Sequence, residues 1–217
     1  MHRRKIKKKP LRLFPRLARK LFKGKDTFPA GRLERNNLGS GYFGNFYAPK
    51  RMPPGKQLVF HLMPIRADES IINKHKKYSW AFPNSIGHTA IFLHPKKNAA
   101  IVTCIQNTTR LEKLPSNLRS RYRNWHIATL ISAITYCRNR GIKLYAVLPQ
   151  NYEDIHNYST QPPLFPKKKK GTIATLYETT LKNAAKALGI KMRKVKTENV
   201  FGNLYSSYFG LELLKLV

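Results

Sequence analysis

The stretch that most limits what this chain can fold into is WHIATLISAITYCRNRGIKLYAVLP, residues 125–149. Ile127, Leu130, Ile131, Ile134 and Cys137 recur at i, i+3, i+4, i+7 and i+10 between Arg119 and Arg140, the spacing of one buried face of an α-helix. Gly141 follows where a helix end calls for a residue that tolerates positive φ. IKLYAVLP then runs apolar without the alternation of a half-solvated strand, as strands buried on both faces of a parallel pair do. A helix feeding such a strand requires a sheet for the helix to lie on, so the chain is read as α/β.

The flanking segments supply that sheet. LVFHLMPI (58–65) is strand-like, IINKHKKYSWAF (71–82) is mixed, and HTAIFLHPKKNAAIVTCIQ (88–106) reads as a hairpin turning at Lys96, Lys97 and Asn98. A second helix is expected from Thr172 to Leu188, closed by Gly189, and IKMRKVKTE (190–198) reads as a strand with Ile190, Met192 and Val195 alternating. Residues 151–171 read as a loop, and the aromatic-rich FGNLYSSYFGLELLKLV (201–217) has no assignable period. The expected organisation is a basic arm over residues 1–30 and a single α/β domain over 31–217. Its fold is a mixed sheet with a long central helix and a second helix.

Charge decides the class of partner. Lys and Arg number 42 against 10 Asp and Glu, a formal net charge of +32 on 217 residues. Such an excess repels itself in a compact body and calls for a polyanion. Hydrophobic residues make up 41% of the chain, which sets it apart from a disordered basic tail. The first 25 residues hold twelve Lys or Arg and no acid, with Phe14, Leu17, Ala18 and Leu21 at helical spacing. Nucleic-acid phosphates, RNA ahead of DNA, are the preferred partner of this arm, with an anionic membrane surface or organellar targeting as the alternatives.

Three basic clusters are the candidate nucleic-acid contacts. The arm contributes Arg3, Arg4, Lys5, Lys7, Lys8 and Lys9, the start of the long helix contributes Arg119, Arg121, Tyr122 and Arg123, and the loop contributes Lys167, Lys168, Lys169 and Lys170. At the helix start, three guanidinium groups and a tyrosine are expected to converge on one phosphate and stack a base.

Cys104 and Cys137 stand in apolar contexts without CxxC spacing, which points to buried thiols of a reducing, intracellular compartment and to neither disulfide nor zinc. No apolar run reaches the length of a membrane span. Catalytic constellations are sparse. His88, His94 and His126 are the candidate bases, each in an apolar or strand-edge context where a structural histidine is the commoner outcome.

Two resemblances extend this reading. LGSGYFGNFYAPK (38–50) resembles a protein-kinase glycine loop through Gly39, Gly41, Gly44 and Phe43, which implies a phosphate-cradling turn and makes the three glycines candidate cofactor-binding residues. No HRD or DFG tripeptide accompanies it. The order of hairpin, long helix, buried strand, second helix and last strand over about residues 57–200 resembles the GNAT acyltransferase fold. That resemblance implies an acyl-CoA cofactor and places Tyr177, on the helix after the central strand, where that family can carry a proton donor to the leaving thiolate. The glycine turn with which the family cradles pyrophosphate is replaced here by SNLRSRYRNW (116–125). The expected function is a nonenzymatic or accessory nucleic-acid-binding protein without a cofactor. The alternative is a GNAT-like, acyl-CoA-dependent transferase acting near an anionic target.

Overall fold

The computed structural model describes residues 31–38, 56–76, 85–152 and 172–217. Seven strands form one mixed sheet: β1 (Gly31–Leu38), β2 (Lys56–Pro64), β3 (Gly87–Leu93), β4 (Ala99–Asn107), β5 (Lys143–Val147), β6 (Arg193–Lys196) and β7 (Glu212–Lys215), in the order β1-β2-β3-β4-β5-β7-β6. β1 to β4 are antiparallel neighbours, β4 and β5 are parallel, and β7 returns antiparallel between β5 and β6. Helices among the described residues include α1 (Glu69–Lys74), α2 (Ser116–Tyr122), α3 (Trp125–Asn139), α4 (Thr172–Leu188), α5 (Thr197–Val200) and α6 (Asn203–Phe209).

α3 is the central helix. All five residues of its sequence stripe are buried, and so are Ala128, Thr129, Ser132 and Ala133, because α3 packs against β2 and β3 and against α4. The buried Thr129 hydroxyl is satisfied, Thr89 and Thr129 sharing a hydrogen bond of 2.8 Å between strand and helix. α3 and α4 end in the same way. Gly141 has φ +65°, Ile142 N donates to Cys137 O and Gly141 N to Arg138 O; Gly189 has φ +64°, Ile190 N donates to Ala185 O and Gly189 N to Lys186 O. This paired bonding closes the last carbonyls of both helices and requires the left-handed conformation that glycine adopts without strain.

Three expectations need correction. The helix signal from Arg119 to Arg140 is carried by two helices, α2 and α3, with a break at Arg123 and Asn124. The last expected strand is shorter, since Ile190 and Met192 precede β6 and only Val195 of the alternating set lies in it. The expected strand also ends early, since Thr197 and Glu198 open α5, and the unassigned C-terminal segment forms α6 and β7. The expected hairpin turn at Lys96 to Asn98 does join β3 to β4, and the strand expected in a parallel pair is β5.

The core has two parts. The larger lies between the sheet and α3, α4 and α6, and the smaller gathers Leu62, Ile72, Ile86, Leu114, Leu118, Tyr122 and Trp125 near the end of β2. In the smaller part Gly87 is pressed under the Trp125 ring, and a Cβ at Gly87 would stand 2.6 Å from Trp125 Cζ3.

Candidate functional site

In open α/β sheets, ligands bind outside the carboxyl ends of parallel strands, so the β4–β5 pair marks the first place to look. Pairing of β4 with β5 covers only Ala99–Val102 and Lys143–Ala146. At that point the β3–β4 register jumps: Ala90 pairs with Cys104 and Ile91 with Val102, leaving Thr103 as the extra residue. Such a bulge bends its strand, which explains why β4 continues to Asn107 without β5 beside it. Thr103 Oγ1 donates to Ala90 O at 3.3 Å and so stays satisfied.

The backbone that β5 abandons is bound by Tyr152. Ile105 N donates to Tyr152 Oη at 2.7 Å, and Tyr152 Oη donates to Ile105 O at 3.3 Å. Tyr177, from α4, stacks on Tyr152 with ring centroids 3.7 Å apart and planes 6° from parallel. Both rings are almost fully buried, and burial holds both phenols well above their ordinary range. Two side chains of the chain itself therefore fill the space beside β4.

His88, Cys104 and His61 share the neighbouring sheet face. His88 Nε2 lies 3.8 Å from Cys104 Sγ, the His61 and His88 rings are 5.6 Å apart, and His61 Nδ1 lies 3.4 Å from Ser85 Oγ. A Cys–His nucleophilic pair needs a thiolate and an imidazolium. Burial pushes the Cys104 thiol up to about 12, and it lowers His88 to about 3, with His61 beside it as the second cause. Both groups are neutral at physiological pH, so the pair is a packed polar contact. Cys137 is buried too, its thiol likewise raised to about 12 by desolvation. Among the described residues no group of three His, Cys, Asp or Glu is arranged to hold a metal ion.

The sequence-derived site residues fall in different places. Tyr122 is 1% exposed, so it is a core residue and offers no face to a base. Its hydroxyl donates to Asp68 Oδ2 at 2.6 Å and accepts from Ile65 N at 3.2 Å. Arg121 Nη1 donates to the same carboxylate oxygen at 2.6 Å, so its charge is matched within the chain. Arg119 and Arg123 are exposed. The four residues belong to the last turn of α2 and the break after it, not to a helix N-terminus, and the expected convergence on one phosphate does not form. A stripe at i, i+4 and i+8, Leu114, Leu118 and Tyr122, is the signal that could have marked Tyr122 as core.

Half-buried His126 lies edge-on to Trp125 and is lowered to about 4 by desolvation. His94 accepts from the backbone N–H groups of Lys96 and Lys97 and organises the hairpin turn. Arg3, Arg4, Lys5, Lys7, Lys8, Lys9, Gly39, Gly41, Gly44 and Lys167 to Lys170 lie outside the described residues, and connectivity alone places the glycines between β1 and β2.

What sequence reasoning missed is the end of the sheet where the β3–β4 turn lies. Strand register brings to this end the turn residues Lys96 and Lys97, Lys143 at the start of β5, Arg193 at the start of β6 and Lys215 at the end of β7. The α3 terminus adds Arg138 and Arg140, tied to the turn by Asn98 Nδ2 donating to Gly141 O at 2.8 Å. Comparison with protein-family models, with curated proteins and with solved structures gives no significant match. No helix among the described residues is long and apolar enough to cross a membrane.

Proposed function

We propose that this protein binds nucleic acid, RNA in preference to DNA, as a nonenzymatic or accessory factor that holds phosphates through its cationic surface. One observation carries the reading: four carboxylates among the described residues are each paired with a cation of the chain itself, and such pairing consumes few of the cations. Asp68 pairs with Arg121, Glu178 with Lys182 at 2.6 Å and Glu212 with Lys194 at 3.1 Å, and Glu198 lies 3.9 Å from Lys196. Pairing all ten acids of the chain with cations would still leave 32 of its 42 Lys and Arg unmatched. Phosphate contact asks for neither a catalytic group nor base readout, which agrees with neutral His88 and Cys104.

A second reading, a GNAT-like transferase, has a specific observation in its favour. The hairpin β3–β4, helix α3, parallel strand β5 and helix α4 follow in the order on which that resemblance rests, and Tyr177 stands where β4 and β5 part. Against it, α2 leads into α3 through a two-residue break with no glycine, and Tyr152 occupies the free backbone of Ile105.

The test is titration of the nuclease-treated protein with RNA, duplex DNA and acetyl-CoA across a salt series. Nucleic-acid affinity falling steeply with salt and no acetyl-CoA signal is the expected result. Acetyl-CoA binding that resists competing RNA overturns it in favour of the transferase.

A further inference from the structure

We infer that the end of the sheet carrying the β3–β4 turn is a docking surface for the phosphate backbone of a nucleic-acid duplex, bound without reading bases. The inference rests on the nucleic-acid reading and assigns it a place and a form of partner. Lys96, Arg138, Lys143 and Arg193 are exposed, and each comes from a different element end. From β4 through β5 and β7 to β6 is three strand spacings, about 14 Å. Over that length a duplex presents about eight phosphate charges on its two strands.

Charge at this end is one-sided. Segments 93–99, 138–144, 186–193 and 214–217 contain no Asp or Glu, and α5, which Lys97 reaches at Val200 O, brings one acid, Glu198, 3.9 Å from Lys196. The C-termini of α3 and α4 also point to this end, and each brings about half a negative charge, so together they offset roughly one cation. Their last carbonyls are already bonded through Gly141 and Gly189. Apart from Glu198 beside Lys196, the described segments of this end supply no acidic side chain to the remaining cations.

Among the described residues this end offers no exposed aromatic face, which points to the form of partner. Binding a single strand relies on aromatic faces for the bases. Among the residues whose burial is described, no Phe, Tyr or Trp is exposed, and Tyr136, near the end of α3, has one ring face under the Arg140 guanidinium at 4.0 Å. Asn98 and Lys97 spend their polar ends on Gly141 O and Val200 O, which stiffens the surface. Rigid cations without aromatic faces suit a regular backbone, whose phosphates are presented at fixed spacing whatever the sequence.

The experiment uses the full chain with fluorescein-labelled RNA of about two helical turns, duplex or single-stranded, in a salt series. One variant carries Lys96→Gln, Arg138→Gln, Lys143→Gln and Arg193→Gln; the control removes equal charge with Arg66→Gln, Lys74→Gln, Arg110→Gln and Lys113→Gln, exposed residues outside the candidate clusters. Duplex affinity of the first variant is expected to fall at least about tenfold, with the slope of log K against log salt reduced by about 0.9 for every phosphate that is no longer neutralised. The control keeps its slope, and two unrelated duplex sequences bind alike. The four single substitutions, each lowering the slope by about 0.9, serve if the quadruple variant unfolds. Equal losses of affinity in both variants, or tighter binding of the single strand by the wild type, overturn the inference while leaving nucleic-acid binding in place. A wild type that binds neither form overturns both.

Discussion

Tyr152 and Tyr177 stack face to face, 3.7 Å apart, and only Tyr152 makes a hydrogen bond of good geometry through its hydroxyl. Tyr152 Oη takes the N–H of Ile105 that β5 would otherwise bond, whereas the buried Tyr177 Oη has only the nearby Val147 backbone to favour its phenolate. The two hydroxyls should therefore behave oppositely. Tyr152→Phe leaves a partly buried N–H without its partner and should cost about 1–2 kcal/mol, while Tyr177→Phe should be within about 0.5 kcal/mol of the wild type or more stable. Urea unfolding of the two variants checks this, and equal destabilisation would mean that the Tyr177 hydroxyl is bonded after all.

Much of the architecture could be read from residues because local physics determines it. The α3 stripe, the turn at Lys96 to Asn98 and the glycine stops at Gly141 and Gly189 each depend on neighbours within one or two turns of chain. β1 was not legible, since GRLERNNL has apolar side chains only at Leu33 and Leu38 and is recruited through backbone pairing with β2. The insertion of β7 between β5 and β6 was not legible either, being a long-range choice of partner. At the site, a cluster such as Arg119 to Arg123 is contiguous in sequence yet splits between core and surface. The cations of the sheet end are far apart in sequence and meet only through strand register.

Asp68 is the hub of the smaller core, accepting from both Tyr122 Oη and Arg121 Nη1 at 2.6 Å. Removing it strands a buried hydroxyl and an arginine together, whereas removing Arg121, a third of whose side chain is exposed, costs a partly screened pair. The expected order of destabilisation is Asp68→Ala at about 2–4 kcal/mol, Tyr122→Phe at about 1–2, and Arg121→Ala at about 1 or less. Chemical denaturation ranks the three, and Arg121→Ala as the most destabilising would contradict the assignment of Tyr122 as the main partner.

Gly87 begins β3 directly beneath Trp125, and the space for a methyl group is taken by the indole. The strand is hydrogen-bonded on both sides and the ring is held at the first residue of α3, so neither yields cheaply. Gly87→Ala should destabilise by about 1–3 kcal/mol through overpacking. The double variant Gly87→Ala with Trp125→Leu should recover part of that loss over Trp125→Leu alone, a non-additivity readable by thermal melts. Full additivity would show that the two residues do not press on each other.

Three strongly desolvated imidazoles make stability depend on pH in a defined direction, and His94, lowered by desolvation and by Lys97 and Lys96, acts in the same direction. Desolvation lowers His61 and His126 to about 4 and His88 to about 3, while the unfolded chain titrates near the ordinary 6.5. Between pH 6.5 and 4 the unfolded state binds protons that the folded state refuses, so stability rises with pH across this window and is lost as pH falls through it. Near pH 5 the difference approaches three protons, a slope of up to about 4 kcal/mol per pH unit. Stability should be level on the alkaline side of this window with respect to these groups, and should drop steeply below about pH 6. His88→Gln should remove about one of the three protons from the slope, even if it lowers stability at neutral pH, because the slope counts titrating groups and the intercept counts packing. Urea midpoints collected from pH 7 down to 5 separate the two quantities. An unchanged slope in His88→Gln would show that His88 titrates alike in the folded and unfolded chain.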